Sequence, residues 1–361
     1  MPNPIRKDKF HIEDSVRPGF YRASHSGRNI TKFLEEIVVS DSLSPHENSH
    51  TIISRELKES INEGDIILVG KKGDVRVILS ESANHNTLLV TEQCDNRCEF
   101  CSQPPKTEED NWLFVQAGLA IAEFQKNGVV GISGGEPLLQ KNRFVNFAKF
   151  VAKHSPNTHL HVLTNGRALA DKEFATELSK VSNNITLGIP LYSSESNAHD
   201  ELVGSRGAFN ETIMGLINAG NLGIPIEIRI IPTQKNYEKL SSVIELAARC
   251  FSSVAQISIM NLEPMGWAKQ NWFSLYLKPS EYSQEILDSV TQAEKGGLHV
   301  ALFNYPLCHI PESARDKAVQ SISDWKNYYP PACEGCQAKQ KCAGFFTSSK
   351  GIFHQSPEPI L

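Results

Sequence analysis

The chain has 361 residues, enough for about two domains or for one α/β barrel with additions, and its 40% hydrophobic and 21% charged content is typical of a globular protein. The net charge of −5 gives no electrostatic reason to expect binding to nucleic acid or to an anionic membrane. No run of about 18 apolar residues occurs and residues 1–11 lack a signal segment, so we expect a cytoplasmic chain without a nucleic-acid or membrane partner.

The first 85 residues predict a small α+β domain. Apolar positions at helical spacing predict a helix over 29–39. The runs Ile66–Val69 and Val75–Leu79 flank a Gly-Lys-Lys-Gly turn and predict a β-hairpin. His46 and His50 are expected to be solvated in a polar loop. This domain would either dock another polypeptide, as a peptide or a partner protein, or cap the domain that follows.

Three cysteines follow the apolar run 88–90, in the spacing Cys-x3-Cys-x2-Cys: Cys94, Cys98 and Cys101. Soft thiolate ligands select iron–sulfur clusters, zinc or Cu(I). No other cysteine occurs before Cys250, so one coordination position is left open. Zinc sites usually come as two Cys or Cys/His pairs, which this triplet does not supply. The spacing therefore favours a cluster with chemistry at an open iron, over zinc or three buried thiols.

The triplet, with Phe100 just before the third cysteine, resembles the radical S-adenosylmethionine (SAM) superfamily. The resemblance implies that the three cysteines hold a 4Fe–4S cluster and that SAM binds its fourth iron. It also implies cleavage of SAM to a 5′-deoxyadenosyl radical that abstracts a substrate hydrogen. The wider stretch 88–106, with Cys-Ser-Gln-Pro-Pro-Lys, and the later runs 321–325 and 342–346 resemble the HxsC type of maturase from the His-Xaa-Ser peptide system.

Strand and helix patterns alternate after residue 88. The predicted strands are 88–91, 129–133, 159–164, 185–191, 226–231 and 256–261, and the predicted helices are 112–127, 144–154, 172–181, 209–219 and 238–251. This order predicts an α/β fold with a parallel sheet. We interpret it as a partial (β/α)6 TIM-like barrel over 86–278, between the N-terminal α+β domain (1–85) and a cysteine-rich auxiliary-cluster extension (279–361).

In such a barrel the active site lies at the carboxyl ends of the strands. The second predicted strand ends in Gly134, Gly135, Glu136 and Pro137. Two glycines let a backbone approach a ligand closely, although a Gly-Gly turn alone is weak evidence of a site. The resemblance implies that this Gly-Gly-Glu-Pro motif contacts the SAM amino group.

Later strand ends supply further candidates for SAM binding. Asn165 ends the third strand, where a plain turn is an equal alternative. The resemblance implies a Ser at the ribose, and we favour Ser193 over its neighbour. Arg229 would pair with the SAM carboxylate if its face of the fifth strand, shared with Glu227, lines the barrel. His199 follows the fourth strand, and a loop-ordering role is favoured over acid–base catalysis.

Four more cysteines lie near the end of the chain: Cys308, Cys333, Cys336 and Cys342. Four thiolates complete either a zinc site or a 4Fe–4S cluster without an open iron. The resemblance implies a second, auxiliary 4Fe–4S cluster, with zinc as the alternative. The remaining cysteine, Cys250, ends an apolar helix and is expected to be buried.

The sequence and its resemblance together predict a radical SAM enzyme that modifies a ribosomally made precursor peptide with His-Xaa-Ser positions, beside a second radical SAM maturase protein. One alternative is a radical SAM enzyme that acts on a small molecule. Another is a non-catalytic iron–sulfur or zinc protein within a maturase complex. The residues do not distinguish a cross-link from an epimer or another product.

Overall fold

The computed structural model describes residues 11–12, 16–25, 31–40, 50–124, 128–181, 184–320, 327–350 and 355–361. In these residues the strands are β1 (His11–Ile12), β2 (Gly19–Ser24), β3 (Glu35–Ser40), β4 (His50–Ile53), β5 (Ile66–Val69), β6 (Val75–Leu79), β7 (Asn86–Thr91), β8 (Gly128–Gly134), β9 (Thr158–Leu163), β10 (Ile185–Pro190), β11 (Ile226–Ile230), β12 (Val254–Met260), β13 (Val300–Phe303), β14 (Ala318–Val319), β15 (Asn327–Tyr328) and β16 (Phe345–Phe346). The helices are α1 (Arg55–Ser60), α2 (Trp112–Phe124), α3 (Lys141–His154), α4 (Lys172–Val181), α5 (Ser196–Val203), α6 (Ala208–Asn221), α7 (Leu240–Cys250), α8 (Gly266–Gln270), α9 (Trp272–Leu275) and α10 (Ser283–Lys295).

Strands β1–β6 form a sheet in the order β1-β4-β3-β2-β5-β6. The helix predicted over 29–39 is wrong, because its second half is strand β3 and residues 26–30 lie outside the described part of the chain. Ile37, Val38 and Val39 are all fully buried, which suits a β-branched run in a covered strand. The apolar residues of this short strand are spaced, by chance, as they would be on one face of a helix.

The predicted hairpin is confirmed, since β5 and β6 pair antiparallel. Gly73 adopts a φ of +74° in its turn, a conformation that favours glycine. His50 is not in a loop as expected, because it begins β4 and its Nε2 lies 3.1 Å from a carboxylate oxygen of Glu35. His46 lies outside the described residues.

Strands β7–β14 form an eight-stranded sheet in simple sequential order. The six predicted strands are confirmed within it, and β13 and β14 extend it beyond residue 278. Neighbouring strands from β10 to β14 all pair in parallel. Because β7 and β14 remain at opposite ends of the order, the barrel is partial, as the sequence predicts.

Alternation along β11 separates two chemically different faces of this sheet. Ile226, Ile228 and Ile230 are fully buried on the face covered by helices such as α6. Glu227 and Arg229 therefore point to the opposite, inner face of the barrel. The polar inner face sits next to an apolar outer layer that supplies the core.

The chain divides into two compact units. The first contains 1–91, 109–133 and 142–160, and the second contains 92–108, 134–141 and 161–361. This differs from the predicted division at residues 85 and 278, because segments that are distant in sequence belong to one unit. In the described residues, no helix is long and apolar enough to cross a membrane.

Candidate active site

The cysteine triplet lies on a loop, residues 92–103, which we call the cysteine loop. Its backbone pairs with the end of α5: Arg97 N–H donates to Val203 O at 2.9 Å, and Glu99 N–H donates to Leu202 O at 3.0 Å. Gly204 follows with a φ of +61°, and a Cβ there would lie 2.5 Å from Arg97 O. Glycine at this position is therefore needed for the close approach.

The segment after β12 meets the other end of the cysteine loop. Trp267 N–H donates to Cys101 O at 2.9 Å. Gly266 has a φ of +53°, and a Cβ there would lie 2.5 Å from Cys101 O and 2.6 Å from Ser102 O. On this side too, the cysteine loop packs directly against the backbone of a glycine.

Arg167 fixes the centre of the cysteine loop. Its Nη1 donates to Asp95 O at 3.0 Å, to Asn96 Oδ1 at 2.7 Å and to Ser205 Oγ at 3.1 Å. The side chain of Asn165 adds a bond, from Nδ2 to Asp95 Oδ1 at 2.6 Å. No sequence pattern points to Arg167 as a functional residue, because an arginine after an Asn-Gly turn looks like any surface arginine. The candidate Asn165 is here a residue that positions the loop.

The Gly-Gly-Glu-Pro motif joins the start of the cysteine loop. Glu136 N–H donates to Gln93 O at 2.7 Å. A Cβ on Gly135 would overlap Gln93 O, so this contact requires glycine. Gly134 is half-buried, and Pro137 is buried behind the turn. The motif therefore lies beside the triplet, as its place in the predicted barrel requires.

The carboxylate of Glu136 is buried and engaged by the protein. Oε1 accepts from Thr164 Oγ1 at 2.5 Å and from Leu138 N–H at 2.8 Å, and Oε2 accepts from Asn165 N–H at 2.6 Å. Burial raises its pKa to about 7, against the lowering effect of these bonds. The structure thus uses this carboxylate to tie β8 to the end of β9, while its predicted contact with the SAM amino group stays a prediction.

The three thiols influence one another. Burial raises the pKa of Cys94 to about 12, and burial with the neighbouring Cys94 and Cys101 raises the pKa of Cys98 further. Asn96 N–H donates to Cys94 Sγ at 3.3 Å. Phe100 packs edge-on against Tyr192, with ring centroids 4.7 Å apart. The triplet is therefore a close group of thiols with an aromatic wall.

Two polar residues after β10 form hydrogen bonds with nearby backbone. Ser193 is fully buried and its Oγ accepts from Glu195 N–H at 3.0 Å, while its expected contact with the SAM ribose stays a prediction. His199 is also buried, and its Nδ1 accepts from Tyr192 N–H at 3.3 Å. Burial lowers the pKa of His199 to about 4. The loop-ordering role predicted for His199 is confirmed.

Arg229 belongs to a charged cluster on the inner face of the barrel. Its Nη1 donates to the two carboxylate oxygens of Glu227 at 3.2 and 3.1 Å, and its Nη2 lies 3.1 Å from Met260 Sδ. His161 Nε2 lies 2.7 Å from Glu227 Oε2. Burial would raise the pKa of Glu227, but His161 and Arg229 outweigh it and lower that pKa to about 2. The guanidinium of Arg229 is thus held on the inner face, which is the face that the expected contact with the SAM carboxylate requires.

The four C-terminal cysteines line one cavity. It has an empty volume of about 320 Å³, and Phe345 and Tyr329 contribute to its wall. Burial and the neighbouring Cys342 and Cys333 raise the pKa of Cys308. The fold therefore gathers all four predicted ligands, although 25 residues separate the first from the second in the sequence.

Backbone N–H groups point at two of these sulfurs. Leu307 and Gly344 each donate to Cys342 Sγ at 3.3 Å, and Ile360 donates to Cys336 Sγ at 3.4 Å. Hydrogen bonds of this kind stabilise thiolates that ligate a metal or cluster.

His309 directly follows Cys308 in the sequence, and Cys250 lies outside both groups of cysteines. His309 directs Nε2 to Ser356 O at 3.0 Å. The expectation that Cys250 is buried is wrong, because α7 presents it to solvent at its last residue.

Across the described part of the chain, no three His, Cys, Asp or Glu side chains are arranged to hold one metal ion.

Comparison with known families identifies the domain that carries this site. Residues 88–247 match the family model of the Radical SAM superfamily. The similarity to this superfamily is therefore shown for a segment that is less than half of the chain. The matched segment includes the cysteine triplet, the Gly-Gly-Glu-Pro motif and Arg229, and it ends before the four C-terminal cysteines.

Two curated relatives match part of this chain. The sporulation killing factor maturation protein SkfB of Bacillus subtilis is 30% identical over 171 residues, which cover 45% of this chain and 39% of SkfB. A probable GTP 3′,8-cyclase of Pyrobaculum aerophilum is 25% identical over 256 residues, or 69% of this chain and 77% of that protein. The chain thus spans less than half the length of SkfB and most of the cyclase.

A solved structure matches the fold over a longer stretch. Native anSMEcpe with bound AdoMet and Cp18Cys peptide covers 76% of this chain and 92% of its own, with a TM-score of 0.53 and 15% identity. At this identity the likeness shows the fold alone.

Replacement of Arg167 by Met is expected to loosen the cysteine loop while the fold persists, because it removes three hydrogen bonds to the loop and its neighbour Ser205. Hydrogen–deuterium exchange of the peptide that contains residues 92–101 should rise at least several-fold. The matched control is Arg249→Met, which loses one exposed ion pair to Glu245 and should leave that exchange unchanged. Equal exchange in both variants would contradict the positioning role.

Glu227→Gln is expected to lower the free energy of unfolding by about 2 kcal/mol at pH 7, since a buried carboxylate that accepts charged hydrogen bonds is lost. A carboxylate with a lowered pKa stabilises the fold above its unfolded pKa near 4.3. That contribution disappears as the pH falls towards about 2. Urea unfolding at pH 7 and pH 3 should therefore show a smaller difference at pH 3. Glu245→Gln, in an exposed pair, serves as the control and should change stability by less than about 0.5 kcal/mol.

Proposed function

We propose that the chain is a radical SAM enzyme that modifies a ribosomally made precursor peptide. The observation that carries the proposal is the cysteine loop, which the fold fixes from four directions so that three thiols form one group beside the Gly-Gly-Glu-Pro motif. A structural metal site would need its fourth ligand, whereas this arrangement leaves one open. The similarity to SkfB, a maturation protein, supports a peptide as the substrate class.

The residues of the loop would divide the work of holding a cofactor. Cys94, Cys98 and Cys101 would ligate three irons, and Phe100 would shield the cluster from water. When bound, a 4Fe–4S cluster with SAM at its open iron would supply the electron that cleaves SAM to a 5′-deoxyadenosyl radical. Arg229, held by Glu227 on the inner face, would orient the SAM carboxylate.

The four C-terminal cysteines would hold the auxiliary 4Fe–4S cluster, with zinc as the alternative. The N–H groups that point at Cys342 and Cys336 favour thiolate ligands of either kind, and the resemblance to peptide-modifying radical SAM enzymes favours iron. A cluster here would carry away the electron left after the radical recombines, or would anchor the peptide.

The narrower identity rests on the resemblance to the HxsC type. It would make a His-Xaa-Ser peptide the target and a second radical SAM protein the partner, in the cytoplasm, where thiols stay reduced. Part of that resemblance, residues 321–325, lies outside the described residues. The N-terminal sheet would then bind the leader peptide or the partner.

A small-molecule substrate is the second candidate. It is favoured by the similarity to the probable GTP 3′,8-cyclase, which extends over 69% of this chain. Such an enzyme would form its product without any peptide or partner protein.

Cys98→Ala is expected to abolish 5′-deoxyadenosine formation from SAM in the reduced, reconstituted protein, because it removes one of three cluster ligands. Cys250→Ala is the matched control: it removes an exposed thiol outside both groups and should leave the rate unchanged. Deoxyadenosine is measured by liquid chromatography. An unchanged rate of deoxyadenosine formation by Cys98→Ala would contradict the proposed mechanism.

Reconstituted protein is expected to contain about eight iron and about eight acid-labile sulfide per chain, for two 4Fe–4S clusters. The double variant Cys333→Ser/Cys336→Ser should retain about four of each and keep its triplet cluster. A wild-type value of about four would instead assign zinc, or no metal, to the C-terminal cysteines.

A further inference from the structure

The carboxylate of Glu227 is held by donors from three strands of the second compact unit. His161 Nε2 on β9 lies 2.7 Å from Glu227 Oε2, and Arg229 Nη1 on β11 donates to both carboxylate oxygens at 3.2 and 3.1 Å. Ser258 on β12 hydrogen-bonds the same carboxylate, and its own Oγ accepts from Gln256 Nε2 at 2.8 Å. The proposed function uses Arg229 and leaves His161 without a role.

The contact between His161 and Glu227 spans an intervening strand. Because β10 lies between β9 and β11, two strand spacings, or about 10 Å, separate the two backbones. On β10, Gly188 is in register with Glu227. A Cβ at Gly188 would lie 3.1 Å from Glu227 Oε2 and 2.9 Å from Leu163 Cδ2. The absence of a side chain at Gly188 therefore leaves the space through which the carboxylate and the imidazole meet.

The hydrogen bond between these two side chains runs from the imidazole to the carboxylate. Burial raises the pKa of Glu227, but His161 and Arg229 outweigh it and bring that pKa to about 2. The carboxylate is therefore ionised at neutral pH and can only accept. His161 Nε2 must carry the proton, which both the neutral Nε2–H tautomer and the imidazolium supply. His161 is thus a donor to Glu227 in either charge state.

The position of the Arg229 guanidinium depends on this carboxylate. Among the described residues, Glu227 is the partner in its ion pair, and its other contact is with Met260 Sδ, a weak acceptor, at 3.1 Å from Nη2. The Nε–H of Arg229 takes no part in these bonds, and 17% of the side chain is exposed. The guanidinium is therefore fixed on one side and keeps a donor for an anion that arrives on the inner face.

We propose that His161 is a positioning residue for the carboxylate of SAM: it holds Glu227 across the gap at Gly188, and Glu227 in turn aims the guanidinium of Arg229. The inference rests on the proposed function, because SAM is the ligand whose carboxylate Arg229 would bind. Loss of His161 would leave the charge of Arg229 in place and change its orientation. A merely structural role would lower stability without a selective effect on a carboxylate ligand.

The first test measures ligand affinity in the absence of turnover. Equilibrium dialysis of the full-length reconstituted protein, without reductant, would compare SAM with decarboxylated SAM, which lacks only the carboxylate. His161→Leu removes the donor and should weaken the binding of SAM about three- to tenfold, because Arg229 is no longer aimed. The affinity for decarboxylated SAM should stay as in the wild type.

Three further variants distinguish positioning from a general loss of packing. His161→Gln keeps an N–H donor at a similar reach and should restore the affinity for SAM. Gly188→Ala keeps every polar partner but fills the gap, so it should reproduce the selective loss. His50→Leu is the matched control, because His50 Nε2 lies 3.1 Å from a carboxylate oxygen of Glu35 and its side chain is 30% exposed, against 27% for His161. It should leave both affinities unchanged.

A second measurement depends on neither SAM nor turnover. Phenylglyoxal modifies arginine side chains, and its rate at Arg229 can be followed by mass spectrometry in the full-length chain before and after reconstitution. A guanidinium released from Glu227 reacts more readily, so His161→Leu should raise the rate at Arg229 at least about threefold, whereas His161→Gln should not. Arg249, exposed on α7, is the reference within each sample.

The outcomes separate this inference from the proposed function. Selective loss of SAM affinity in His161→Leu and Gly188→Ala, with recovery in His161→Gln, would support it. Equal weakening of both ligands, or wild-type SAM affinity and Arg229 reactivity in His161→Leu, would overturn it even in an enzyme that forms deoxyadenosine. If the wild type binds no SAM, the proposed function fails, and the reactivity of Arg229 alone decides whether His161 holds the guanidinium.

Discussion

The site depends on the immobilisation of one short loop by polar contacts from elsewhere in its compact unit. The central contact is Arg167, which reaches the backbone of Asp95 and the side chain of Asn96. A loop with three cysteines in eight residues has many conformations, and a cofactor would have to select one of them. Here the protein has already made that selection, because each end of the loop is pinned by backbone hydrogen bonds against glycines. Pre-organisation of this kind is what a cofactor site requires.

Buried carboxylates complete the scaffold in two different ways. Glu136 is neutralised in part by its own burial and serves as an acceptor for the turn after β9. Glu227 stays ionised between His161 and Arg229. Glu136 fixes backbone at the rim of the barrel, and Glu227 fixes charged side chains in its interior. The inner face therefore carries a fixed charge pattern before any ligand arrives.

The strands of the barrel could be predicted from the sequence because the spacing of apolar residues along the chain follows the spacing of buried side chains. β10 and β11 are continuous apolar or alternating runs, and both appear where the pattern placed them. The errors have local causes. Ile37 lies in a run that satisfies helical and strand spacing alike, and Cys250 is the exposed last residue of α7, three residues after the last buried residue, Ala247. For Ser193 the pattern gives the residue type and its place after β10, whereas the direction of a side chain after a strand depends on tertiary contacts.

The residues that hold the cysteine loop come from distant parts of the chain. Asn165 is 70 residues from its partner Asp95, and Asn271, whose amide donates to the carbonyl of Glu99, is 172 residues away from it. Contacts of such sequence separation form slowly, since a long chain segment must close first. During synthesis the cysteines leave the ribosome well before the segment after β12 that completes their surroundings. The loop therefore gains its full set of contacts only when the segment after β12 has joined the same unit, so a cofactor site that depends on those contacts is complete only after the barrel has formed.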